Sequence, residues 1–288
     1  MGADRGVLLV VPGDPSRPRR PDAHFAPEAA SARDAGVPVW VVDHDALVRG
    51  DVDAALPRPP AQGEPTEALY RGWMLRAERY AAFADALAAR GVTLRTDAEQ
   101  YRRAHELPGW YAALKPVTPT TTWTVGDGRD AFDRARTALG DGPAVLRDYC
   151  KSMKHHWDEA AFIPDLADAE AAWSVAHRFR QLREDDFVGG FVLRRFERFT
   201  SAEVRTWWRD GRCVLVGPHP DTPDRHPAVD PALTAVAPLV AGLGLHFVTV
   251  DLGLRDDGRW RVIELGDGQV SDRPTTVDPA RLLTPMLT

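Results

Sequence analysis

Lysine is almost missing from this chain. Of its 36 basic residues, 33 are arginine, and the three lysines, Lys115, Lys151 and Lys154, fall within one short stretch. Arginine serves solubility and surface ion pairing equally well, so the chain has no general need of ammonium groups. A compact, strongly hydrated charge on a flexible stem is wanted where one phosphate or acyl oxygen must be met at the end of a reach. Cysteine is also scarce. Cys150 and Cys213 give neither a disulfide framework nor a CxxC metal pair, and both are expected to be reduced and buried. No apolar run approaches the ~18 residues of a membrane span. The first one, residues 7–11, is too short for a secretory core and runs into Pro12-Gly13-Asp14, which fits a cytoplasmic protein. A basic excess is lacking too: the net charge is −6 with no basic tail, which argues against nucleic acid as a partner. There is no GxxxxGK[ST] loop, no GxGxxG turn and no GxSxG elbow.

What is present is an ordinary globular composition, 44% hydrophobic and 27% charged over 288 residues, long enough for about two domains. A strand over 7–11, a helix over 27–35 and a strand over 38–42 predict a β-α-β opening on a small parallel sheet. A Pro-rich connector covers 56–65, a strand end 69–74, and a helix 76–90 with Tyr80, Phe83 and Leu87 on one face. Residues 115–128, rich in Thr, Pro and Gly, read as a linker or mobile loop. Helices follow over 130–139 and 168–183, on either side of a strand over 144–151. Past Gly189-Gly190 the chain is strand-rich, at 191–196, 203–209 and 212–216. The loop 217–231 reads as unpacked, and a helix over 232–243 leads to a last hairpin. Trp207 and Trp208 alternate faces, so at least one belongs to a core.

That hairpin carries the sharpest chemistry. Asp257-Gly258 between apolar strands signals a two-residue turn, which places Asp251 directly opposite Glu264. Val248, Val250, Leu252, Leu254, Ile263 and Leu265 then share the core face, while Thr249, Gly253 and Gly266 leave space above the acids. Like charges directly opposite across a sheet destabilise it by roughly 0.2–1 kcal/mol. The pair therefore calls for a cation. Oxygen donors of this kind suit Mg²⁺, with Asp267 as a third; the alternative is a neighbouring arginine. On the strand over 144–151, alternation places Arg147, Tyr149 and Lys151 on one face, either a phosphate-holding surface or a solvated charged one. His155-His156 is read as structural or superficial rather than as a zinc site.

Taken in order, these pieces resemble the ATP-grasp superfamily over nearly the whole chain, best over 144–271. They are 146–154 (LRDYCKSMK), 191–196 (FVLRRF), 203–205 (EVR), Asp251 and 263–267 (IELGD). More narrowly they resemble a divergent clade that includes the eukaryotic cell-division-control proteins that assemble translation initiation factor 2. The resemblance implies an α+β fold whose two subdomains clamp ATP, preceded by a small β-α-β domain, with boundaries at 1–112, 113–188 and 189–288. It implies phosphate contacts from Arg147, Lys151 and Lys154, and a hinge strand ending in Arg194, Arg195 and Phe196 whose backbone meets adenine. It further implies Mg²⁺ on Asp251 and Glu264, and Arg205 and Arg71, with Lys154, at the reacting phosphate or acyl group. Most members carry Asn two residues after the metal-binding Glu; here Gly266 stands there, so either Asp267 takes over as a ligand or one metal site is weakened. The implied activity is an ATP-dependent ligation of a small-molecule or peptide carboxylate to an amine, giving ADP and phosphate. The alternatives are an ATP–Mg²⁺-binding assembly factor that holds a protein partner, and a binding module without nucleotide.

Overall fold

Residues 7–57, 66–200, 202–227 and 229–287 are described in the computed structural model, so most of the Pro-rich connector lies outside the described residues. The first sheet is built from β1 (Val7–Asp14), β2 (Arg17–Pro21), β3 (Val39–Val42), β4 (Thr66–Tyr70) and β5 (Val92–Leu94). β1 runs parallel to β3 and β4, and β4 parallel to β5, while β2 folds back antiparallel on the end of β1. Both faces are covered, which is why β1 reads as a nearly unbroken apolar run. On one face Leu8, Val10, Trp40 and Tyr70 pack against Tyr80, Phe83 and Leu87 of the helix Ala77–Ala88, the stripe expected from spacing. On the other, Leu9 and Val11 meet Phe25 and Ala29, and also Leu282 and Met286 of the last helix, Pro279–Leu287. The C-terminus thus returns to close the first sheet.

The second sheet is antiparallel, in the order β6 (Thr121–Trp123), β9 (Val192–Arg195), β7 (Ala144–Arg147), β8 (Phe162–Ile163). Helices Arg129–Leu139 and Ala169–Arg183 cover one face through Phe132, Ala176 and Phe179. Two corrections follow. The Thr/Pro stretch is no free linker, since it supplies β6. And β9, assigned from sequence to the C-terminal unit, pairs with β7 and β6 in this sheet.

The third sheet is β11 (Arg212–Pro218), β10 (Val204–Arg209), β12 (Phe247–Leu254) and β13 (Trp260–Asp267), all antiparallel. Trp207 and Trp208 are both buried, Trp207 toward the first sheet and Trp208 toward the cluster of Val248, Val250 and Leu252. The helix expected over 232–243 shrinks to Ala237–Gly242 behind a 3₁₀ turn. Among the described residues no helix is long and apolar enough to cross a membrane.

The terminal hairpin holds a compensation that sequence reading overlooks. Arg255 pairs with Arg259, so the loop is the three residues 256–258, with Gly258 at φ +83°. Alone, that one-residue shift would send Asp251 and Glu264 to opposite faces. A bulge next to Asp251, where Leu252 pairs with Val262, takes up one residue and restores the register. Asp251 does lie opposite Glu264. Val262 therefore enters the core where Ile263 was expected. Nor is Gly253 open: a Cβ there would stand 2.9 Å from Phe199 Cδ1.

Candidate active site

A cleft of about 340 Å³ opens where the third sheet faces the segment after β7. Lys151, Lys154, Arg205 and His219 line it together with Asp251, Glu264 and Asp267. Its floor is one cross-strand row. Arg205 on β10 is the partner of Asp251 on β12, which is the partner of Glu264 on β13.

Each carboxylate of the row already holds a guanidinium. Arg205 grips Asp251 with two bonds, Nε to Oδ1 at 2.8 Å and Nη2 to Oδ2 at 2.7 Å. Burial works to raise the pKa of Asp251, but the charge and hydrogen bonds of Arg205 outweigh it and hold the group well below the usual carboxylate range. Glu264 Oε1 accepts from Arg147 Nη2 at 2.7 Å. Here too burial acts upward, and Arg147 followed by Lys151 brings the net shift down. The arginine alternative for these acids is thus realised, with Glu264 Oε2 carrying no hydrogen bond among the described residues.

For Mg²⁺ the donor chemistry fits: two ionised carboxylates on neighbouring strands, one with a free oxygen, facing a cleft rich in cations. Asp267 lines the same cleft but is held differently. Its Oδ1 accepts from Gln269 N at 2.9 Å and Nε2 at 3.2 Å, and its Oδ2 is buried without a partner. Burial pushes its pKa from 3.8 up to about 7. Asp251 instead groups with Glu203 and His219, whose donor atoms all lie within 4.8 Å of one another. Arg205 Nη2, 3.2 Å from His219 Nε2, already supplies a cation to that group.

The raised Asp267 pKa has a sign that can be tested. A folded-state value above the unfolded one means stability is highest below about pH 4 and is lost as pH rises through about 7. Without ligands, Asp267→Asn should remove that loss. The variant is expected to gain on the order of 2 kcal/mol relative to the parent between pH 5 and pH 8, measured by urea unfolding at both values. A pH-independent difference would show that Asp267 is not the titrating group.

The cations arrive differently from expectation. β7 ends at Arg147, so Tyr149 and Lys151 do not continue a strand face. The fully buried Asp148 carboxylate stops it by accepting from Cys150 N at 2.7 Å and Lys151 N at 2.6 Å, a side-chain turn that turns Lys151 into the cleft. Arg183 Nε, 2.9 Å away, balances that charge. Arg147 braces the same turn from within, donating to Cys150 O at 2.6 Å, and does not line the cleft. Lys154 reaches across the mouth to pair with Asp221. Lys115 is exposed and apart from the cleft.

Four other predicted residues lie elsewhere. Arg71 is fully buried, with Glu28 on Nε and Nη2 at 2.7 and 3.0 Å, and Nη1 on the carbonyls of Gly268, Gln269 and Ser271. It fixes the turn after β13 and does not line the cleft. Arg194 is buried between sheets two and three, donating to Ile263 O at 2.6 Å and Thr118 Oγ1 at 2.8 Å, and burial lowers its pKa to about 10. Arg195 points the other way, to the carbonyls of Leu139, Gly140 and Asp141. Phe196 packs on Phe162 at 5.3 Å and beside Trp157.

Sequence reading also missed residues. Glu203 lies two positions before Arg205, and the period of two was a usable signal. His219 and Asp221 sit in the Pro-rich loop, where nothing local marks them; His219 N donates to Glu203 O and so folds the loop against β10. His105, which also lines the cleft, carries no sequence signal.

With this geometry in place, comparisons with known proteins are direct. No functionally curated protein matches the sequence. Among solved structures the chain is similar to a RimK domain protein ATP-grasp from Sphaerobacter thermophilus, with a TM-score of 0.64, 22% identity, and 98% of this chain and 99% of that one covered. It is also similar to the D-cycloserine synthetase DcsG (TM-score 0.62, 19% identity, 98% and 100% covered). A third is the ATP-grasp ligase PsnB complexed with a phosphomimetic variant of its minimal precursor, Mg and ADP (TM-score 0.59, 15% identity, 100% and 97% covered). At such identities these likenesses show the fold. The family model of the ATP-grasp domain, R-two-K clade family 3, matches residues 138–286, more than half of the chain. The chain belongs to that ATP-grasp family.

Proposed function

We propose that the protein is an ATP- and Mg²⁺-dependent carboxylate–amine ligase that works through an acyl phosphate. The observation that carries this reading is the row Arg205–Asp251–Glu264 facing Lys151 and Lys154 across one cleft. A carboxylate oxygen of the acid substrate attacks the γ-phosphorus of ATP, forming an O–P bond as the β–γ bridge breaks and ADP leaves. The amine nitrogen then forms the C–N bond while the C–O bond to phosphate breaks. Lys151 and Lys154 meet the polyphosphate, and Arg205 meets charge on the transferred group or the acyl oxygen. Asp251 and Glu264 hold Mg²⁺, which when bound neutralises charge between the phosphates. Asp267, Arg71, Arg194 and Arg195 support the walls.

The fold-level likeness to PsnB and DcsG keeps both peptides and small molecules in the substrate class. Both cysteines are free thiols, which accords with a cytoplasmic setting. The decisive assay supplies ATP, Mg²⁺, hydroxylamine and a pool of cellular carboxylic acids. Hydroxamate and ADP are expected in equal amounts. AMP and pyrophosphate would rule the mechanism out, and ATP binding without hydroxamate would favour the assembly-factor role at the same residues.

A further inference from the structure

A sheet edge is a template for another strand unless something guards it. At β2 the guard is plain: Arg17, Arg19 and Arg20 stand exposed on the strand, with Pro18 and Pro21 among them. β6, an edge of the second sheet, has no such guard. Residues 121–125 (TTWTV) contain neither a charge nor a proline, and their two exposed side chains are large and apolar, Trp123 at 36% and Val125 at 88%. The ladder uses only half of the backbone here. Arg195 N donates to Thr120 O and Thr124 N to Phe191 O, both at 2.8 Å, so the even positions face β9. The groups of 121, 123 and 125 point outward. Thr121 N finds the Tyr111 hydroxyl at 2.9 Å, while the outward backbone groups of Trp123 and Val125 meet no partner among the described residues.

Beside this edge runs an open groove of about 580 Å³, its other wall the helix Arg129–Leu139. That wall is low. Ala131, Ala135 and Ala138 line it, and Thr122 Oγ1 ties it to the strand by donating to Ala135 O at 2.9 Å. A strand laid along β6 would alternate its side chains between these alanines and the side of Trp123 and Val125. Among the described residues, Arg134 is the one charged residue lining the groove, exposed and without an ion pair or hydrogen bond. Asp130, one turn before it, does not line the groove. The occupant that balances Arg134 therefore carries an acid. A second copy of this chain does not meet that demand: its own edge has no acid, and Asp127, next along, is taken by Arg180 at 2.8 Å.

We propose that this groove docks an extended, acidic segment of another protein, added to the second sheet as a strand beside β6 with a carboxylate on Arg134. The main-chain bonds of Trp123 and Val125 hold the segment whatever its sequence, and Arg134 with the alanine wall selects among sequences. No residue lining this groove lines the nucleotide cleft. The docking site therefore does not depend on the ligase reading.

The test is ligand-observed saturation-transfer NMR on the full chain, with acetyl-Thr-Val-Glu-Val-Thr-amide as probe and the same peptide with Gln for Glu as control. The Glu peptide should show transfer and bind at least threefold more tightly than the Gln peptide. Arg134→Gln should erase that difference by weakening the Glu peptide alone. Val125→Pro removes one outward N–H, a change an edge strand tolerates, and should weaken both peptides at least threefold. Melting curves show whether Val125→Pro keeps the fold; if it does not, the two peptides on Arg134→Gln still decide. No transfer to the parent, equal binding of both peptides, or full binding by a folded Val125→Pro would overturn the assignment. So would a dimer of the parent, seen by light scattering and lost in Val125→Pro, since that would give the groove to a second copy.

Discussion

Glu264→Gln should abolish the Mg²⁺-dependent part of ATP binding and lower ADP formation by on the order of 100-fold or more, the scale seen when one preorganised charge partner is lost. The substitution keeps the shape of the side chain and an oxygen that can accept from Arg147 Nη2. It removes the charge that faces the cleft beside Asp251. The readouts are the shift in melting temperature with ATP, with and without Mg²⁺, and steady-state release of ADP. A variant that keeps the parent's Mg²⁺ dependence would refute the assignment of Glu264 as a metal ligand.

Arg205→Met is expected to have the largest effect on stability. Asp251 is 3% exposed, and Arg205 provides both of its guanidinium bonds. Removing one partner of a buried pair leaves an uncompensated charge, at a cost of about 3–5 kcal/mol. In the parent, the depressed Asp251 pKa contributes stability that is present above about pH 4 and lost as pH falls through the folded-state value. Without Arg205, burial dominates and the sign reverses: the variant should become more stable as pH falls from 7 to 5. Arg205→Met/Asp251→Asn should recover most of the loss at pH 7. Urea unfolding at pH 5 and 7 checks all three statements, and a single variant as stable as the parent at pH 7 would show the pair to be dispensable.

The fold was legible where the signal is local and periodic. Tyr80, Phe83 and Leu87 marked a buried helical stripe, and alternation placed Trp207 and Trp208 on opposite faces, both buried. Asp251 and Glu264 were found opposite one another, yet by an incomplete route, because the longer loop and the bulge shift register in opposite directions. Periodicity reports which side of an element is buried. It does not report which guanidinium meets which carboxylate 117 residues away, as Arg147 meets Glu264. Arg71 resembled a cleft residue because an arginine at a strand end carries no mark of burial; Glu28 and three carbonyls decide it. His219 and Asp221 were invisible for the converse reason, since a proline-rich loop has no period from which to read a face.

The two ion pairs on the cleft floor have one more consequence, for the order in which ligands arrive. With Asp251 on Arg205 and Glu264 on Arg147, each carboxylate of the resting floor is already paired, and a bare divalent cation would find only Glu264 Oε2 free and would have to displace a guanidinium to gain more. A nucleotide that brings its metal along offers both sides of an exchange: the carboxylates pass to the metal, and the freed guanidinium passes to a phosphate. Under the proposed function such a swap would conserve the number of charge pairs, and metal and nucleotide would be expected to enter the cleft as one body.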